Sequence, residues 1–288
     1  MSAAAVGAAG VSLGAAAAAA AVRLAAAGVE SPRREARLLV ALAAAIAPEA
    51  VLGWPERALD PDVAPRLEAL VARRAAGEPL SRLSGRREFW SLDFTLSPAT
   101  LDPRPESETL VEAALDWRPE AQRLLDFGTG TGCLLLAFLS ERPQAIGFGV
   151  DLAPAAAAAA RRNAAALGLA DRAFFLAGHW DAAIATGVDV IFANPPYIPT
   201  EALAGLPATV ARFDPRLALD GGADGLQAYR ALAPAFRRLL KPEGLGFVEI
   251  GAGQGSGVAA VFAAAGLAVQ ERRRDLSGIE RCLVLALQ

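Results

Sequence analysis

Hydrophobic residues near the start of the chain recur at helical spacing. Leu38, Leu39, Leu42 and Ile46 fall on one face of a helix. Ser31-Pro32 is typical of the residues that begin a helix. Residues 12–75 show no strand period. We therefore predict a small unit built from helices.

The period changes after residue 86. Leu92, Phe94 and Leu96 alternate with polar residues, which is the pattern of a strand with one buried face. Phe89-Trp90 begins the predicted hairpin. The pattern therefore places a β-structure directly after the helical unit.

Strands and helices alternate from residue 106 onward. Strands are predicted at about 122–127, 145–150, 172–176, 188–192, 244–250, 267–273 and 281–287. Helices are predicted at about 106–117, 132–141, 154–167, 226–240 and 255–265. Strands joined through helices lie parallel, with right-handed crossovers. The last two strands share a short connection containing Gly278, which allows them to pair antiparallel.

These changes of pattern divide the chain into three predicted parts. They are a helical N-terminal domain over residues 1–80, a β-hairpin linker over 81–105 and an α/β domain over 106–288. The predicted fold class is a doubly wound, seven-stranded, mostly parallel α/β sheet with a small helical N-terminal domain.

Composition excludes several classes of function. The net charge is −3, so the chain lacks the basic excess of proteins that hold long nucleic acids through their phosphates. Two cysteines and one histidine, without clustering, argue against a metal centre or a disulfide framework. The alanine-rich residues 2–22 lack the Leu, Ile and Phe density of a membrane span. We predict a cytoplasmic protein with no metal and no membrane segment.

A glycine-rich loop follows the first predicted strand of the α/β domain. Gly128, Gly130 and Gly132 permit a sharp turn and the close approach of a ligand to the main chain. Asp151 lies 19 residues after Gly132, at the end of the next predicted strand. A carboxylate at that place can accept hydrogen bonds from both hydroxyls of a ribose. Together these features predict a nucleoside cofactor, against the alternative of an ordinary tight turn.

The loop favours S-adenosylmethionine over a dinucleotide. A dinucleotide fingerprint has the spacing GxGxxG, whereas here the glycines are spaced GxGxG and Cys133 takes the last position. Asp126 precedes the loop. Its charge would repel a pyrophosphate and would attract a sulfonium and an amino group.

A second motif, Asn194-Pro195-Pro196-Tyr197, follows the predicted strand 188–192. Strand ends of parallel sheets are where ligands bind. The Asn194 side-chain oxygen and the Pro195 carbonyl are two acceptors for the two hydrogens of a planar NH2 group, and Tyr197 offers an aromatic face. Holding the nitrogen in this way would orient it toward a methyl donor, so the predicted product is an N-methylated amide or exocyclic amine.

The chain closely resembles the peptide chain release factor N(5)-glutamine methyltransferases over nearly everything after about residue 20. Besides the glycine loop and residues 194–197, the resemblance includes three further motifs. These are Pro103-Arg104-Pro105-Glu106-Ser107-Glu108, Ala218-Leu219-Asp220-Gly221-Gly222 and Asp224-Gly225-Leu226. The Pro-Arg-Pro-Glu and Asp-Gly-Gly segments are the most diagnostic.

The resemblance implies a class I S-adenosylmethionine methyltransferase that modifies the glutamine of the Gly-Gly-Gln motif in class 1 release factors. It implies that the cofactor is held by Gly128, Thr129, Gly130, Thr131, Gly132, Asp151 and Asn194, with Trp180 against the adenine. It implies that the glutamine is held by Asn194, Pro195, Pro196 and Tyr197, of which Asn194, Pro195 and Tyr197 are the catalytic set. The helical domain would dock the release factor.

Two positions depart from the family pattern. Asp102 stands where an apolar residue usually precedes Pro-Arg-Pro, and His179 stands where an acidic residue usually precedes the tryptophan. Arg104 and Glu106 are either an ion pair that shapes the pocket or a solvated turn. A monomer that does not bind nucleic acid directly is the default expectation. Two alternatives are an adenine-N6 methyltransferase acting on nucleic acid and a non-catalytic nucleoside-binding module.

Overall fold

The computed structural model describes residues 11–179 and 187–288. The chain divides into two compact units, Met1–Ser84 and Gly85–Gln288. None of the helices in these described segments is both long enough and apolar enough to cross a membrane.

The described part of the first unit is built from helices. They are α1 (Leu13–Ala26), α2 (Pro32–Ala44), α3 (Pro48–Gly53), α4 (Ala64–Ala75) and α5 (Leu80–Ser84). Alanine has the highest helix propensity, which explains why α1 forms from a sequence in which nine of the fourteen residues are alanine. Leu24, Leu39 and Val40 are fully buried in the core of this unit. The helical character predicted for residues 12–75 is confirmed.

A two-stranded hairpin opens the second unit. Its strands are β1 (Arg86–Phe89) and β2 (Leu92–Thr95), which pair antiparallel around the two-residue turn Trp90-Ser91. Both turn residues have positive φ, 54° and 57°, a conformation that usually selects Asn or Gly. The Trp90 N–H donates to Glu108 Oε1 at 2.7 Å, so a contact outside the hairpin supports the turn.

The rest of the second unit is a seven-stranded sheet flanked by helices. The strands are β3 (Arg123–Phe127), β4 (Ile146–Asp151), β5 (Ala173–Ala177), β6 (Val188–Ala193), β7 (Leu240–Glu249), β8 (Leu267–Arg274) and β9 (Glu280–Leu287). The helices are α6 (Glu108–Trp117), α7 (Cys133–Glu141), α8 (Pro154–Ala166), α9 (Ala208–Ala211), α10 (Gln227–Leu239) and α11 (Gly255–Ala264).

The strand order is β5-β4-β3-β6-β7-β9-β8, and only β9 runs antiparallel to its neighbours. The predicted fold class is therefore confirmed, including the antiparallel pairing of the last two strands. One apolar layer packs α6, α7 and α8 on one face of the sheet, and another packs α10 and α11 on the other.

The strand order also locates the binding crevice. From β3 the chain proceeds to β4 on one side, and β6 then pairs on the other side of β3. A crevice opens beyond the carboxyl ends of the strands where the order reverses in this way. The glycine loop after β3, Asp151 at the end of β4 and Asn194 after β6 all lie at this place.

Candidate functional site

A cavity of about 300 Å³ lies at the carboxyl ends of β3, β4 and β6. It brings together residues that are far apart in the sequence. Of the predicted site residues, Gly128, Thr129, Gly130, Thr131, Asp151, Asn194, Pro195 and Pro196 line it. Asp126 and His179 also line it. Trp180 lies outside the described residues.

Backbone hydrogen bonds fix the glycine loop against β4. The N–H groups of Gly128 and Thr129 donate to the Val150 carbonyl at 2.8 and 3.1 Å. Gly132 has a φ of +83° at the start of α7, and a Cβ there would lie 3.1–3.3 Å from Leu136, Phe175 and Ala160. Gly132 therefore lets the helix pack closely against its neighbours, whereas the residues before it face the cavity.

Asp126 is a buried acid at the base of the cavity. Its exposed fraction is 1%. Oδ2 accepts a hydrogen bond from the Thr129 hydroxyl at 2.6 Å, while Oδ1 has no partner among the described residues. Burial raises the pKa of Asp126 to about 7, against the lowering effect of Thr129 and with a further rise from Asp151. A buried oxygen without a donor fits a cationic group of a ligand.

Asp151 presents a carboxylate that two backbone groups orient. Its Oδ2 accepts from the Gly130 N–H and its Oδ1 from the Ala153 N–H, both at 2.9 Å. Burial raises the pKa of Asp151, and these two hydrogen bonds oppose that rise. A carboxylate has about four lone-pair sites, so each oxygen keeps capacity for one ribose hydroxyl.

The Asn194–Tyr197 turn follows β6 and is supported from behind. The Gln254 side chain donates to the Tyr197 carbonyl at 2.9 Å and accepts from the Gly251 N–H. The segment after residue 218 lies against the same turn. A Cβ at Gly225 would come within 2.4 Å of the Tyr197 carbonyl oxygen. The Asp-Gly-Gly and Asp-Gly-Leu motifs thus support the turn by allowing close backbone contact.

A second cavity of about 570 Å³ adjoins the first. Its lining includes Tyr197, Glu249 and Arg281, and it shares Asn194 with the first cavity. Burial raises the pKa of Tyr197 to about 12, with a further rise from Glu249, so the phenol is neutral at physiological pH. Asn194 therefore lies where a ligand in one cavity could meet a ligand in the other.

Sequence reasoning missed two residues next to Asn194. The Asn194 Nδ2 donates to the Ser107 hydroxyl at 3.2 Å, and that hydroxyl donates to Glu249 Oε2 at 2.5 Å. Both Ser107 and Glu249 are 2% exposed. Glu249 ends an otherwise apolar stretch of β7, and an acid in such a stretch is the signal that could have identified it.

The Pro-Arg-Pro segment is tied to the loop that contains Asp214. Arg104 Nη2 pairs with Asp214 Oδ2 at 2.6 Å, so its partner is Asp214 and not Glu106 as one sequence interpretation had it. The Asp102 N–H donates to Asp214 Oδ1 at 3.3 Å. The Asp102 carboxylate pairs with the Arg87 guanidinium at 3.6 Å. The Arg87 pairing gives the buried Asp102 carboxylate a partner of opposite charge.

Known families match both parts of the chain. The model of the PrmC N-terminal domain matches residues 15–85, and that of the methyltransferase small domain matches residues 89–208. The release factor glutamine methyltransferase of Rhodospirillum rubrum is 52% identical over 263 residues, which are 91% of this chain and 81% of that protein. The protein of the same name from Cereibacter sphaeroides is 47% identical over 259 residues, which are 90% of this chain and 92% of that protein.

Solved structures support the fold alone. The catalytic domain of hMettl16, in complex with MAT2A 3'UTR hairpin 6, superposes with a TM-score of 0.57. The match covers 76% of this chain and 82% of that chain at 14% sequence identity. At this identity the likeness shows a shared α/β fold and says nothing of the reaction or the substrate.

Proposed function

Because the chain belongs to the family of release factor glutamine methyltransferases, we propose that it methylates the side-chain nitrogen of the glutamine in the Gly-Gly-Gln motif of class 1 release factors. The proposed methyl donor is S-adenosylmethionine. The family establishes methyl transfer as the reaction. The release factor glutamine is inferred from the family, and the chemistry of the two cavities supports this donor and a carboxamide acceptor.

The first cavity fits the proposed donor. The unpartnered Asp126 oxygen suits a positively charged amino group, and Asp151 suits the two hydroxyls of a ribose. In this proposal Gly128, Thr129, Gly130, Thr131 and Gly132 form the loop that holds the donor. When bound, S-adenosylmethionine supplies a methyl carbon whose bond to sulfur breaks as its bond to the amide nitrogen forms, and the nitrogen then releases a proton.

Residues 194–197 fit a carboxamide. The Asn194 Nδ2 is already engaged with Ser107, which leaves its Oδ1 to accept from one hydrogen of an NH2 group. The Pro195 carbonyl, which has no hydrogen-bond partner among the described residues, can accept from the other. Tyr197 then provides an aromatic face for the planar amide. Two acceptors fix the nitrogen without a general base, so the gain in rate is one of proximity and orientation.

The observation that carries the proposal is that Asn194 lines both cavities. A hydrogen-bond acceptor where the cavities meet can hold a substrate amide in one cavity within reach of the methyl donor in the other. We further propose that the enzyme acts as a monomer. We also propose a cytoplasmic location, because the proposed substrate acts in translation.

The proposal is tested with a radiolabelled methyl group. The purified protein is incubated with labelled S-adenosylmethionine and a class 1 release factor, and label is expected on the Gly-Gly-Gln peptide. A release factor whose motif is changed to Gly-Gly-Ala is the matched control and should take no label. Transfer to DNA or RNA in place of the release factor would overturn the proposal. Retention of the cofactor without transfer to any of them would favour a binding module.

We also propose that the helical unit docks the release factor. Leu52 and Trp54, at the end of α3, are large apolar side chains with exposed fractions of 63% and 59%. Exposed aromatic and large aliphatic side chains are candidates for contacts with a protein partner. The two curated relatives are matched over about nine tenths of this chain, the helical unit included.

Changing both residues, Leu52→Ser with Trp54→Ser, is expected to raise the KM for the release factor about tenfold, the equivalent of roughly 1.4 kcal/mol. The kcat should stay within about twofold, because the catalytic geometry is untouched. Leu276→Ser, at an exposed apolar residue between β8 and β9, is the matched control. An unchanged KM in the double variant would exclude this face as the docking surface.

A further inference from the structure

Ser107 links Asn194 to a buried acid. It lies at the end of a short 3₁₀-helix, Pro105–Ser107, and lines the first cavity. Its hydroxyl donates to Glu249 and accepts from the Asn194 amide. A hydroxyl has a single proton. While that proton is given to Glu249, the serine oxygen can only accept from Asn194.

This arrangement determines which end of the Asn194 amide faces the cavity. An asparagine amide has a donor end and an acceptor end of nearly the same shape. An ionised Glu249 fixes the serine proton, the serine oxygen binds Nδ2, and Oδ1 is left to accept from a ligand. The opposite orientation would present Nδ2 to the NH2 group of a carboxamide, where two donors would face each other.

The surroundings of Glu249 bring its pKa close to physiological pH, so the side chain can be ionised or protonated. Burial raises the pKa of Glu249 to about 7, and Glu106 raises it further, while Ser107, Arg281 and Asn194 lower it. Other ionisable groups also face it. Tyr197 lines the second cavity together with Glu249. The Tyr229 hydroxyl donates to the main-chain carbonyl of Glu249. Cys282 on β9 is the residue that pairs with Glu249 in the sheet. Burial raises the pKa of the Tyr197, Tyr229 and Cys282 groups, so they stay neutral while Glu249 titrates.

We propose that Glu249 is a positioning residue that acts through Ser107 to keep the Asn194 oxygen directed at the substrate nitrogen, and that protonation of Glu249 removes this control. The inference rests on the proposed function, because it takes the acceptor to be a carboxamide. A protonated Glu249 can donate to the Ser107 oxygen. The serine proton is then free to turn toward Asn194, and both orientations of the amide become available.

The first test needs no substrate. The side-chain amide protons of Asn194 are followed by NMR in the free protein between pH 5.5 and 8.5 (roughly 1.5 units either side of the Glu249 midpoint). We expect them to shift with a midpoint near pH 7 in the wild-type protein. The shift should be absent in Glu249→Gln and clearly smaller in Ser107→Ala, and should persist in full in Ser107→Thr, which keeps the hydroxyl. Glu243→Gln, at an exposed residue of the same strand, should titrate as the wild type does.

The second test measures kcat/KM for the release factor at saturating cofactor over the same range. We expect wild-type activity to fall as pH drops through the midpoint and to level off about tenfold lower, at the activity of the Glu249→Gln variant. Glu249→Gln should have a kcat/KM about tenfold lower than the wild type at pH 8, and this value should not decrease further toward acid pH. Ser107→Ala should behave in the same way. Ser107→Thr should restore both the activity at pH 8 and its decrease at acid pH. Glu243→Gln should match the wild type.

The outcomes separate the two proposals. A wild-type protein that transfers no methyl group to the release factor overturns the proposed function, while the NMR titration still decides whether Glu249 controls Asn194. If the protein transfers methyl groups but the activity of Glu249→Gln still falls at acid pH, the positioning role is overturned. It is also overturned if the Asn194 resonances of the wild-type protein do not shift with pH. A loss of activity in Ser107→Ala that Ser107→Thr does not rescue also counts against it.

Discussion

Asp126→Asn is expected to weaken S-adenosylmethionine binding about 100-fold at pH 8 while making the cofactor-free protein more stable. The asparagine keeps an oxygen that can accept from Thr129 but removes the charge. Removing one partner of a buried charge pair costs about 2–5 kcal/mol of binding free energy, and 100-fold is about 2.7 kcal/mol. Isothermal titration measures the loss directly.

The same residue predicts a pH dependence of binding. Burial raises the pKa of Asp126 to about 7 in the free protein, and a cationic ligand binds the ionised form. The competent fraction therefore falls below pH 7, and wild-type affinity should drop about tenfold per pH unit there. Asp126→Asn should show no such slope. A slope that survives the substitution would assign the titration to another group.

The stability effect has the opposite sign. Because the folded-state pKa of Asp126 is raised, its contribution to stability is full below the unfolded pKa of about 3.9 and is lost as pH rises through about 7. Above pH 7 the wild type contains a buried charge, and the asparagine variant does not. We expect the variant to be more stable at pH 8 by about 3 kcal/mol in urea unfolding without cofactor.

The difference between the two proteins should vanish at pH 4. Asp171→Asn, at an exposed residue, is the matched control and should leave both binding and stability unchanged. An Asp126→Asn protein no more stable than the wild type at pH 8 would contradict the raised pKa. We therefore interpret Asp126 as a residue that lowers the stability of the free protein and strengthens the binding of S-adenosylmethionine.

The sequence allowed the fold to be predicted because the signals of the fold are local. Each of the seven strands of the large sheet was predicted within about a residue at most ends, since strand and helix periods can be recognised within a few residues. The exception is β7, which begins at Leu240 and not near residue 244. Pro242 and Gly244 resemble a turn in sequence, but the structure accommodates them at an irregularity in the register with β6.

The supports of the site could not be predicted because they are not local. Ser107 is 87 positions from Asn194 and 142 from Glu249 in the sequence. No period or motif connects such distant residues, and only the strand order brings them together. The same holds for the Arg104–Asp214 pair, whose partners are 110 positions apart. The short motifs were visible in the sequence, whereas the contacts that hold them in place required the fold.

Asn194→Ala is expected to lower kcat for release factor methylation by about 10²–10³-fold, the loss seen when one well-placed hydrogen-bonding group is removed from an active site. The KM for the release factor should change less than about threefold, because docking is assigned to the helical unit. Cofactor affinity should also stay within a few-fold, since Asp126 and Asp151 remain. Steady-state kinetics with labelled donor, together with cofactor titration, separate these quantities.

The split between kcat and KM distinguishes orientation from binding. An interaction that orients the amide only as the methyl group is transferred lowers kcat and kcat/KM together. Glu201→Ala, at an exposed residue beyond the same turn, is the matched control and should retain full activity. A variant at Asn194 that raised KM strongly and left kcat intact would mean that the side chain only binds the release factor. In that case the acceptors that align the amide nitrogen with the methyl donor would have to come from the backbone of the proline turn alone.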